Sequence, residues 1–265
     1  MAVWRRCRYL AHFAALAKAE NPLPHTDHLY RLPYALALTL MLALGLGGLA
    51  WKSTDGTLLD RGLYDLQLRL RPMAPAEGVA VLVIDDHSLE ELGVWPWSRR
   101  LHADTVDALT AAGTRAVAFT TAFVERDSND PGGDARFAEA MIANGRVLLP
   151  VIATASRGHE LLPAAPLATA TAGLGQMDIG TDIDGQVRRA YLRAGYNQPR
   201  LGALALETLQ LAEKYPLATL PGERFTGAAQ PERWVRDYHV LLPFAPPDTI
   251  PHYSVAELLA GRLPA

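Results

Sequence analysis

The distribution of apolar and polar residues sets one uncharged run apart from the rest of the chain. The run LPYALALTLMLALGLGGLAW fills residues 32–51. At a rise of ~1.5 Å per residue, a helix of this length covers roughly 30 Å, which matches the hydrocarbon core of a bilayer. Arg31 and Lys52 bracket the run, and Tyr34 and Trp51 stand where aromatic residues of membrane interfaces are enriched. We therefore predict a transmembrane helix at residues 32–51.

A buried globular helix and a cleaved signal peptide are the alternatives for this run. A buried core helix usually has a shorter apolar stretch. A signal peptide also has a shorter one and lies closer to the N-terminus, whereas residues 1–31 precede this run. The prediction divides the chain into an N-terminal segment at 1–31, the helix at 32–51 and one ectodomain at 52–265.

Basic residues and the single cysteine predict the orientation of the chain. The N-terminal segment contains Cys7 and five basic residues, which are Arg5, Arg6, Arg8, Lys18 and Arg31. Basic residues favour the cytoplasmic side of a membrane, and free thiols persist in reducing compartments. We expect residues 1–31 in the cytoplasm and residues 52–265 in the periplasm, in a chain that crosses the inner membrane once.

A leucine stripe follows the predicted membrane segment. Leu59, Leu63, Leu66 and Leu70 recur at spacings of four, three and four, which is typical of one face of a helix. This helix either extends the transmembrane helix or pairs with a partner chain. We expect a homodimer.

Short apolar runs alternate with helical patterns beyond the stripe. VAVLVIDD at 79–86, AVAFTTAF at 116–123 and VLLPVIA at 147–153 have the composition of buried parallel strands. The helical patterns between them end at glycines, which are Gly93, Gly113 and Gly145. Strand, helix and strand in this order predict right-handed parallel units.

Side chains that begin helices can also be identified. Ser88 and Glu91 fit a capping box, and Ser98 and Asp134 are placed to cap the next two helices. Later in the chain, GLGQMDIG and QVRRAYLRAGY flank residues 182–185 and predict an antiparallel hairpin, which is followed by a helix at 202–214. The predicted fold class is therefore α/β, with a mixed, largely parallel sheet flanked by helices and preceded by one transmembrane helix.

The polar residues at the predicted strand ends are candidates for a ligand site. Parallel sheets bind ligands beyond the carboxyl ends of their strands, and Asp85, Asp86, Thr120 and Thr121 lie there. Either aspartate is suited to bind a cation or a ligand donor. Each is equally suited to cap the following helix or to bond loop amides, and this structural role is favoured.

The segment GVWPWSRRLH at residues 93–102 places two tryptophans and two arginines at a helix start. Pro96 favours an extended Trp95, so that the rings of Trp95 and Trp97 are free to pack against different layers. The helix dipole disfavours cations in the first turn. A carboxylate such as Asp85 or Asp86, or an anionic ligand, is therefore expected to hold Arg99 or its neighbour Arg100.

Several classes of chemistry lack their motifs. The ectodomain has no histidine pair at zinc-ligand spacing, no G-x-S-x-G, no P-loop and no G-x-G-x-x-G after a strand. The DIDG sequence at 182–185 lacks the further ligands of a calcium loop, so a turn is favoured there. A formal net charge of -3 without a basic stripe opposes nucleic-acid binding. No cofactor and no metal are expected.

The order of these segments resembles a known family. VAVLVIDDHSLEELGVWPWSRRLHADTVDALTAAGTRAVAF, an acidic loop with Phe123, Glu125 and Asp127, then DARFAEAMIANGRVLLP, DIDGQVRRAYL and IPHYSVAELLAG follow the pattern of the type-two CHASE domain over residues 58–262. The resemblance implies a bacterial membrane receptor with an extracytoplasmic α/β sensor. Its cytoplasmic output is a nucleotide cyclase, a kinase or a cyclic-di-GMP enzyme.

The sequence departs from this family in two places. Family members usually carry an aspartate where this chain has Phe119-Thr120, which puts in doubt any site that depends on that carboxylate. The chain ends in SVAELLAGRLPA, where the family continues into another strand and a return through the membrane. We expect a sensory portion without its last strand and its output.

The leading hypothesis is a non-catalytic membrane sensor for an unknown small-molecule or protein signal. The expected lining consists of Asp85, Asp86, Trp95, Trp97, Arg99, His102 and Thr120, with Arg188 and Arg189 as further candidates. A membrane-tethered scaffold that dimerises through its leucine stripe is the first alternative. An enzyme that uses Asp85 and Asp86 as an acid/base or metal pair is the second, which the missing nucleophile disfavours.

Overall fold

The computed structural model describes residues 27–51, 58–71, 73–74, 77–154, 159–213, 219–222, 224, 233–246 and 249–263. The chain forms two compact units, Met1–Arg69 and Leu70–Ala265. Most of the predicted N-terminal segment, with Cys7, lies outside the described residues.

Among its described residues, the first unit contains helix α1 (Asp27–Trp51) and the beginning of α2 (Leu58–Leu70). The side chains that the structure describes in α1, Tyr34 and residues 36–48, are all exposed. Over the described residues, no helix is both long enough and apolar enough to cross a membrane. The helical conformation of residues 32–51 is confirmed, whereas the membrane span stays a prediction.

Helix α2 has the predicted amphipathic character. Leu63, Leu66 and Leu70 on its stripe are exposed. Asp60 in its first turn and Arg69 in its last turn complement the helix dipole. Leu63, Leu66 and Leu70 thus form an exposed apolar face of this helix.

The first part of the second unit is built around parallel strands. Its elements in chain order are β1 (Val81–Val83), α3 (Asp86–Leu92), α4 (Arg99–Ala111), β2 (Val117–Ala118), α5 (Gly133–Asn144), β3 (Val147–Ala153), β4 (Glu160–Leu161), α6 (Leu167–Ala170) and β5 (Gly173–Gln176). Strand β3 pairs in parallel with β2 and β5, and antiparallel with β4.

The second part is an antiparallel ladder around one long strand. Its elements are β6 (Ile179–Thr181), β7 (Val187–Tyr196), β8 (Leu201–Gly202), α7 (Leu204–Glu213), β9 (Trp234–Leu241), β10 (His252–Ser254) and α8 (Val255–Leu259). Strand β7 pairs antiparallel with β6, β8 and β9, while β10 returns to pair in parallel with β1. The mixed α/β class is confirmed, but the antiparallel ladder is as extensive as the parallel pairing.

Two predicted strands are shorter in the structure than their apolar runs. The run at 79–86 forms a three-residue β1, because its closing aspartates begin α3. The run at 116–123 forms the two-residue β2, and the Phe119 amide still donates to the Leu148 oxygen. Beyond Phe119 the chain leaves the ladder, and the Phe123 side chain enters the core.

The helix ends follow the predicted signals except at Ser88 and Asp134. Ser98 caps α4 by accepting the Arg100 amide, and Gly145 ends α5 in the left-handed conformation. The predicted capping box at Ser88 is wrong, because Asp85 is the N-cap of α3. Asp134 does not cap α5 either: the helix begins at Gly133 and Asp134 lies in its first turn.

The core lies between α4, α5 and the parallel strands. Its buried members include Ala103, Val106, Phe123, Phe137, Met141, Val147, Leu149 and Leu167. Phe119 and Leu174 pack against this core from partly buried positions. The aromatic members lie at the start of α4 and α5, where the segment at 93–102 joins them.

Candidate functional site

Asp85 makes its hydrogen bonds at the junction of β1, α3 and β10. Its Oδ1 accepts the Ser88 amide at 2.8 Å, the Ser88 hydroxyl at 2.6 Å and the Ser254 hydroxyl at 2.9 Å. The hydrogen bonds from Ser88 lower the pKa of Asp85 to about 2, assisted by Ser254. The carboxylate is therefore used as a cap and as a tether for the end of β10, in line with the structural alternative.

Ser88 extends this junction to the last described helix. Its buried hydroxyl lies 2.9 Å from the Ser254 hydroxyl and accepts the Ala256 amide in the first turn of α8 at 3.2 Å. Asp86 is exposed in the first turn of α3, and Thr120 is exposed beyond β2. The structure thus gives Asp85 a fastening role, while binding roles of Asp86 and Thr120 stay predictions.

The two tryptophans of the 93–102 segment contact each other. Their ring centroids lie 5.7 Å apart in an edge-to-face arrangement, so the expectation that they pack against different layers is wrong. Trp97 is buried, and its Nε1 donates to the Gly93 oxygen at 2.7 Å. Trp95 is more exposed, at 38 %. Both rings face the imidazole of His102.

His102 is enclosed by aromatic side chains. It is 4 % exposed, and the centroids of five described rings lie between 5.1 and 6.3 Å from its own, belonging to Trp95, Trp97, Phe119, Phe123 and Phe137. Its buried Nε2 has no hydrogen-bond partner among the residues that the structure describes. Phe119, in the Phe119-Thr120 pair where the resemblance implies an aspartate, supplies one of these rings.

Burial keeps His102 neutral at physiological pH. Desolvation lowers the pKa of its imidazole to about 4, and the positive charge of Arg99 acts in the same direction against a smaller opposing effect of Asp127. A buried imidazole without a hydrogen bond is costly to charge, because the imidazolium loses its hydration.

Arg99 connects the His102 helix to the next acidic segment. Its Nε lies 3.4 Å from Asp134 Oδ1, its Nη2 donates to the Glu125 oxygen at 3.1 Å, and its guanidinium carbon lies 4.6 Å from the ring centroid of Phe123. Its backbone amide donates to Asp127 at 3.2 Å. Arg99 Nε and Asp134 Oδ1 are buried, and neither makes a hydrogen bond among the described residues. The two side chains therefore attract each other through their charges, but no hydrogen bond between these two atoms fixes their relative position.

Asp127 and Asp130 complete the attachment of this acidic segment to α4. Although burial alone raises the pKa of Asp127, the amides of Arg99, Asp130 and Asn129 hold it below its usual value. Asp130 binds Arg100 through both oxygens and accepts the Ser98 hydroxyl. Carboxylates do hold the two arginines, but they come from residues 130–134 rather than from Asp85 or Asp86.

An open cleft of about 650 Å³ adjoins this ion pair. Its lining includes Asp127, Pro131, Asp134, Ala165 and Pro166. Its volume is in the range of small-molecule sites. The cleft leads to the first turn of α5 rather than to the ends of the strands.

Arg188 and Arg189 lie away from these groups on β7. Arg188 is buried, and its guanidinium binds Asp182 at 2.9 Å and Asp184 at 3.0 Å. It therefore fixes the predicted turn, in which Gly185 has a φ of 78°. Arg189 is half-buried in the β6–β7–β9 pairing, and a binding role for it stays a prediction. Among the described residues, no group of three or more potential ligands is placed to hold a metal ion.

The structure thus brings Trp95, Trp97, Arg99 and His102 together and leaves the other sequence candidates elsewhere. Sequence reasoning missed the partners of these four residues. We call the whole set the His102 cluster: Trp95, Trp97, Arg99, His102, Phe119, Phe123, Asp127, Asp134 and Phe137. The sequence signal that was available is the acidic loop after β2 together with the arginines in the first turn of α4. Each of these groups is stabilised by the opposite charge.

Comparison with protein families gives one match to nearly the whole chain. A family model described as the CHASE2 domain matches residues 35–265. No curated protein and no solved structure matches the chain.

Proposed function

The chain belongs to the CHASE2 family of extracellular sensory domains, and from that membership we propose that it is the extracytoplasmic input domain of a membrane-bound bacterial signal-transduction receptor. The observation that carries the proposal is the match over residues 35–265. The signal is unknown, and the output is a cytoplasmic cyclase, a kinase or a cyclic-di-GMP enzyme. The domain itself is non-catalytic.

A membrane anchor at residues 32–51 is part of the proposal. The run is free of charges, it is helical, and its described side chains are exposed and almost all apolar. An exposed apolar helix is costly in water and stable in a bilayer. The N-terminal segment then lies in the cytoplasm and the second unit in the periplasm.

The His102 cluster is the proposed signal-responsive part. It combines a buried ion pair whose Arg99 Nε and Asp134 Oδ1 make no hydrogen bond among the described residues, a buried His102 Nε2 that also has no partner there, and a half-exposed Trp95 at its edge. Buried polar atoms without hydrogen bonds raise the free energy of the conformation that holds them. A second conformation that relieves this cost is therefore accessible to a signal that stabilises it.

The other strand-end groups support a non-catalytic domain. Asp85, the first member of the acid/base pair in the enzyme alternative, accepts three hydrogen bonds from Ser88 and Ser254. These bonds and its lowered pKa favour a permanently ionised cap, whereas an acid/base catalyst needs a pKa near the working pH.

Topology is tested by thiol labelling of intact cells. Val94 is 87 % exposed in the second unit, so Val94→Cys in a Cys7→Ser background reports the location of that unit. We expect a membrane-impermeant maleimide to label Val94→Cys in cells with a permeabilised outer membrane, and to label Cys7 of the unaltered chain only after lysis. Ala103→Cys, at a fully buried position, is the control and reacts only after denaturation. Labelling of Cys7 without labelling of Val94→Cys in intact cells would refute the proposal.

We also propose that α2 pairs with α2 of a second copy through its leucine stripe. Leu66 lies on the exposed stripe, whereas Leu68 points to the opposite side of a helix with 3.6 residues per turn. In a Cys7→Ser background, Leu66→Cys is expected to form an intermolecular disulfide in membranes and Leu68→Cys is not. Equal crosslinking of the two variants would exclude pairing through this face.

A further inference from the structure

The imidazole of His102 is a buried titratable group to which the family match assigns no role. It is 4 % exposed, and its Nε2 has no hydrogen-bond partner among the described residues. Most buried polar side chains are hydrogen-bonded, and the exceptions need an explanation. A phenylalanine fills such a space without the cost of an unsatisfied nitrogen. The unsatisfied ring nitrogen therefore points to a use that phenylalanine does not provide, which is the uptake of a proton.

The walls around the imidazole differ in how easily they move. Phe123 and Phe137 are fully buried in the core, and Trp97 is 5 % exposed and tied to the Gly93 oxygen through its Nε1. Trp95 is 38 % exposed and follows Val94, which is almost completely exposed. Trp95 is the most exposed of these rings, so its displacement is the one that opens the imidazole to water.

The charged groups around His102 come from each neighbouring element. Arg99 lies one turn earlier on α4, Asp127 lies in the loop after β2, and Asp134 lies on α5 opposite Arg99. Residues 93–98, which contain Trp95 and Trp97, carry no charge. Helix α8, which also packs on α4, carries the half-buried Glu257. Arg99 opposes and Asp127 favours the charged imidazole, while desolvation is the larger effect, so that burial lowers the pKa of His102 to about 4.

We propose that the signal of this input domain is the proton, and that protonation of His102 displaces Trp95 and hydrates the imidazole. The inference rests on the proposed function, since it names the signal that the sensory domain detects. One proton passes from water to the free lone pair of the ring, and no covalent bond breaks. The imidazolium then has two N–H donors, for which the aromatic enclosure has no acceptor.

Protonation of His102 also affects α5, through the ion pair between Arg99 and Asp134. A positive imidazolium one turn from Arg99 repels its guanidinium, because like charges at this helical spacing destabilise each other. The guanidinium moves towards Asp134, whose Oδ1 is 3.4 Å from Nε and lacks a hydrogen bond. Protonation thus tightens the contact between α4 and α5 while it opens the Trp95 edge. These two changes define the second conformation of the domain.

The test is an acid titration of tryptophan accessibility in the full-length chain in detergent. Acrylamide quenching of tryptophan fluorescence is measured from pH 7.5 to 4.5. We expect quenching to rise with a midpoint between pH 6.5, the ordinary pKa of histidine, and about 4, its value in the enclosed state. His102→Phe, which fills the enclosure, is expected to lose this transition. His87→Gln removes an exposed histidine and is expected to keep it. Trp95→Phe is expected to lose most of its amplitude.

A second measurement covers the case in which a variant does not fold. In the wild-type chain with ¹⁵N-labelled histidine, the signal of the His102 ring is expected to titrate with the same midpoint as the quenching, while the far-UV circular dichroism stays constant. A quenching transition that persists in His102→Phe overturns the proposal, and so does a His102 ring that titrates without a change in quenching or does not titrate above pH 4.5. These outcomes leave the thiol-labelling result unchanged, so failure of the proton hypothesis is distinguishable from failure of the receptor topology.

Discussion

Replacement of Asp134 by alanine leaves the Arg99 guanidinium without its carboxylate. The Arg99 side chain is 15 % exposed and that of Asp134 is 7 % exposed, so water does little to replace the lost charge. Removal of one partner of a buried ion pair typically destabilises a protein by 3–5 kcal/mol. Arg99 keeps its hydrogen bond to the Glu125 oxygen and its contact with Phe123, which places the expected loss at the lower end, about 3 kcal/mol.

Asparagine at the same position separates the charge from the loop hydrogen bond. Asp134 Oδ2 accepts the Asp127 amide, and an asparagine oxygen retains this bond. Asp134→Asn is therefore expected to cost about 1 kcal/mol less than Asp134→Ala. In the double variant Arg99→Met, Asp134→Asn neither charge remains, and we expect a coupling free energy of about 2 kcal/mol.

Urea unfolding of the full-length variants, followed by circular dichroism at 222 nm, measures these differences. The neighbouring pair Arg100 and Asp130 is the matched control, because the Arg100 side chain is 56 % exposed and such pairs contribute little. A coupling between Arg99 and Asp134 no larger than that of the control pair would refute the buried ion pair as a structural element of the His102 cluster.

Three further results follow from the same contacts. The free energy of unfolding is expected to fall as the pH falls below 6.5, because the enclosure lowers the pKa of His102 in the folded chain below its ordinary value; the loss is at most about 3 kcal/mol, the limit for a folded pKa of about 4, and displacement of Trp95 makes it smaller. In urea titrations this slope is smaller in His102→Phe, and an unchanged slope would contradict the assignment. Asp85→Ala is expected to lower Tm by loss of the Ser254 tether, whereas Asp86→Ala is not, and equal Tm values for the two would speak against the cap. Arg188→Met is expected to lower Tm through loss of its two carboxylate contacts and to keep the acid-dependent quenching, so a loss of quenching would show that β7 belongs to the responsive part.

The elements that sequence predicted well are those fixed by local signals. Strand β3 occupies the predicted residues 147–153, Ser98 caps α4, and Gly145 ends α5. The hairpin of β6 and β7 forms around the predicted turn, and α7 differs from its predicted bounds by two residues at the start and one at the end. In each case a residue type with a special backbone or capping preference marks the boundary.

The contacts of the site depend on tertiary packing and were only partly predictable. The sequence led to the expectation that a carboxylate or an anionic ligand holds one of the arginines in the first turn of α4, and carboxylates, from Asp134 and Asp130, do hold them. The carboxylate of Asp85 instead accepts hydrogen bonds from Ser88, in the helix that it caps, and from Ser254. Ser254 lies beside β1 only because β10 returns to pair with that strand. Asp134 was expected as a cap, because its sequence position does not reveal that it faces Arg99.

The aromatic enclosure of His102 also lacks a local sequence signal. Trp95 and Trp97 are near His102 in sequence, but Phe119 and Phe123 come from the loop that follows β2, and Phe137 comes from α5. Their convergence requires the parallel pairing of β2 with β3 and the packing of α4 on α5.

The claim that the His102 cluster is the responsive part of this sensory domain is tested most directly by hydrogen exchange. Amide exchange of the full-length chain is compared at pD 7.5 and 5, after correction for intrinsic rates. We predict that residues 93–104 lose protection at pD 5, while residues 125–137, which hold the tightened ion pair, and the residues of the Asp85 junction, 81–92 and 252–260, keep it. Unchanged protection at residues 93–104, or an equal loss of protection there and in the Asp85 junction, would contradict the account.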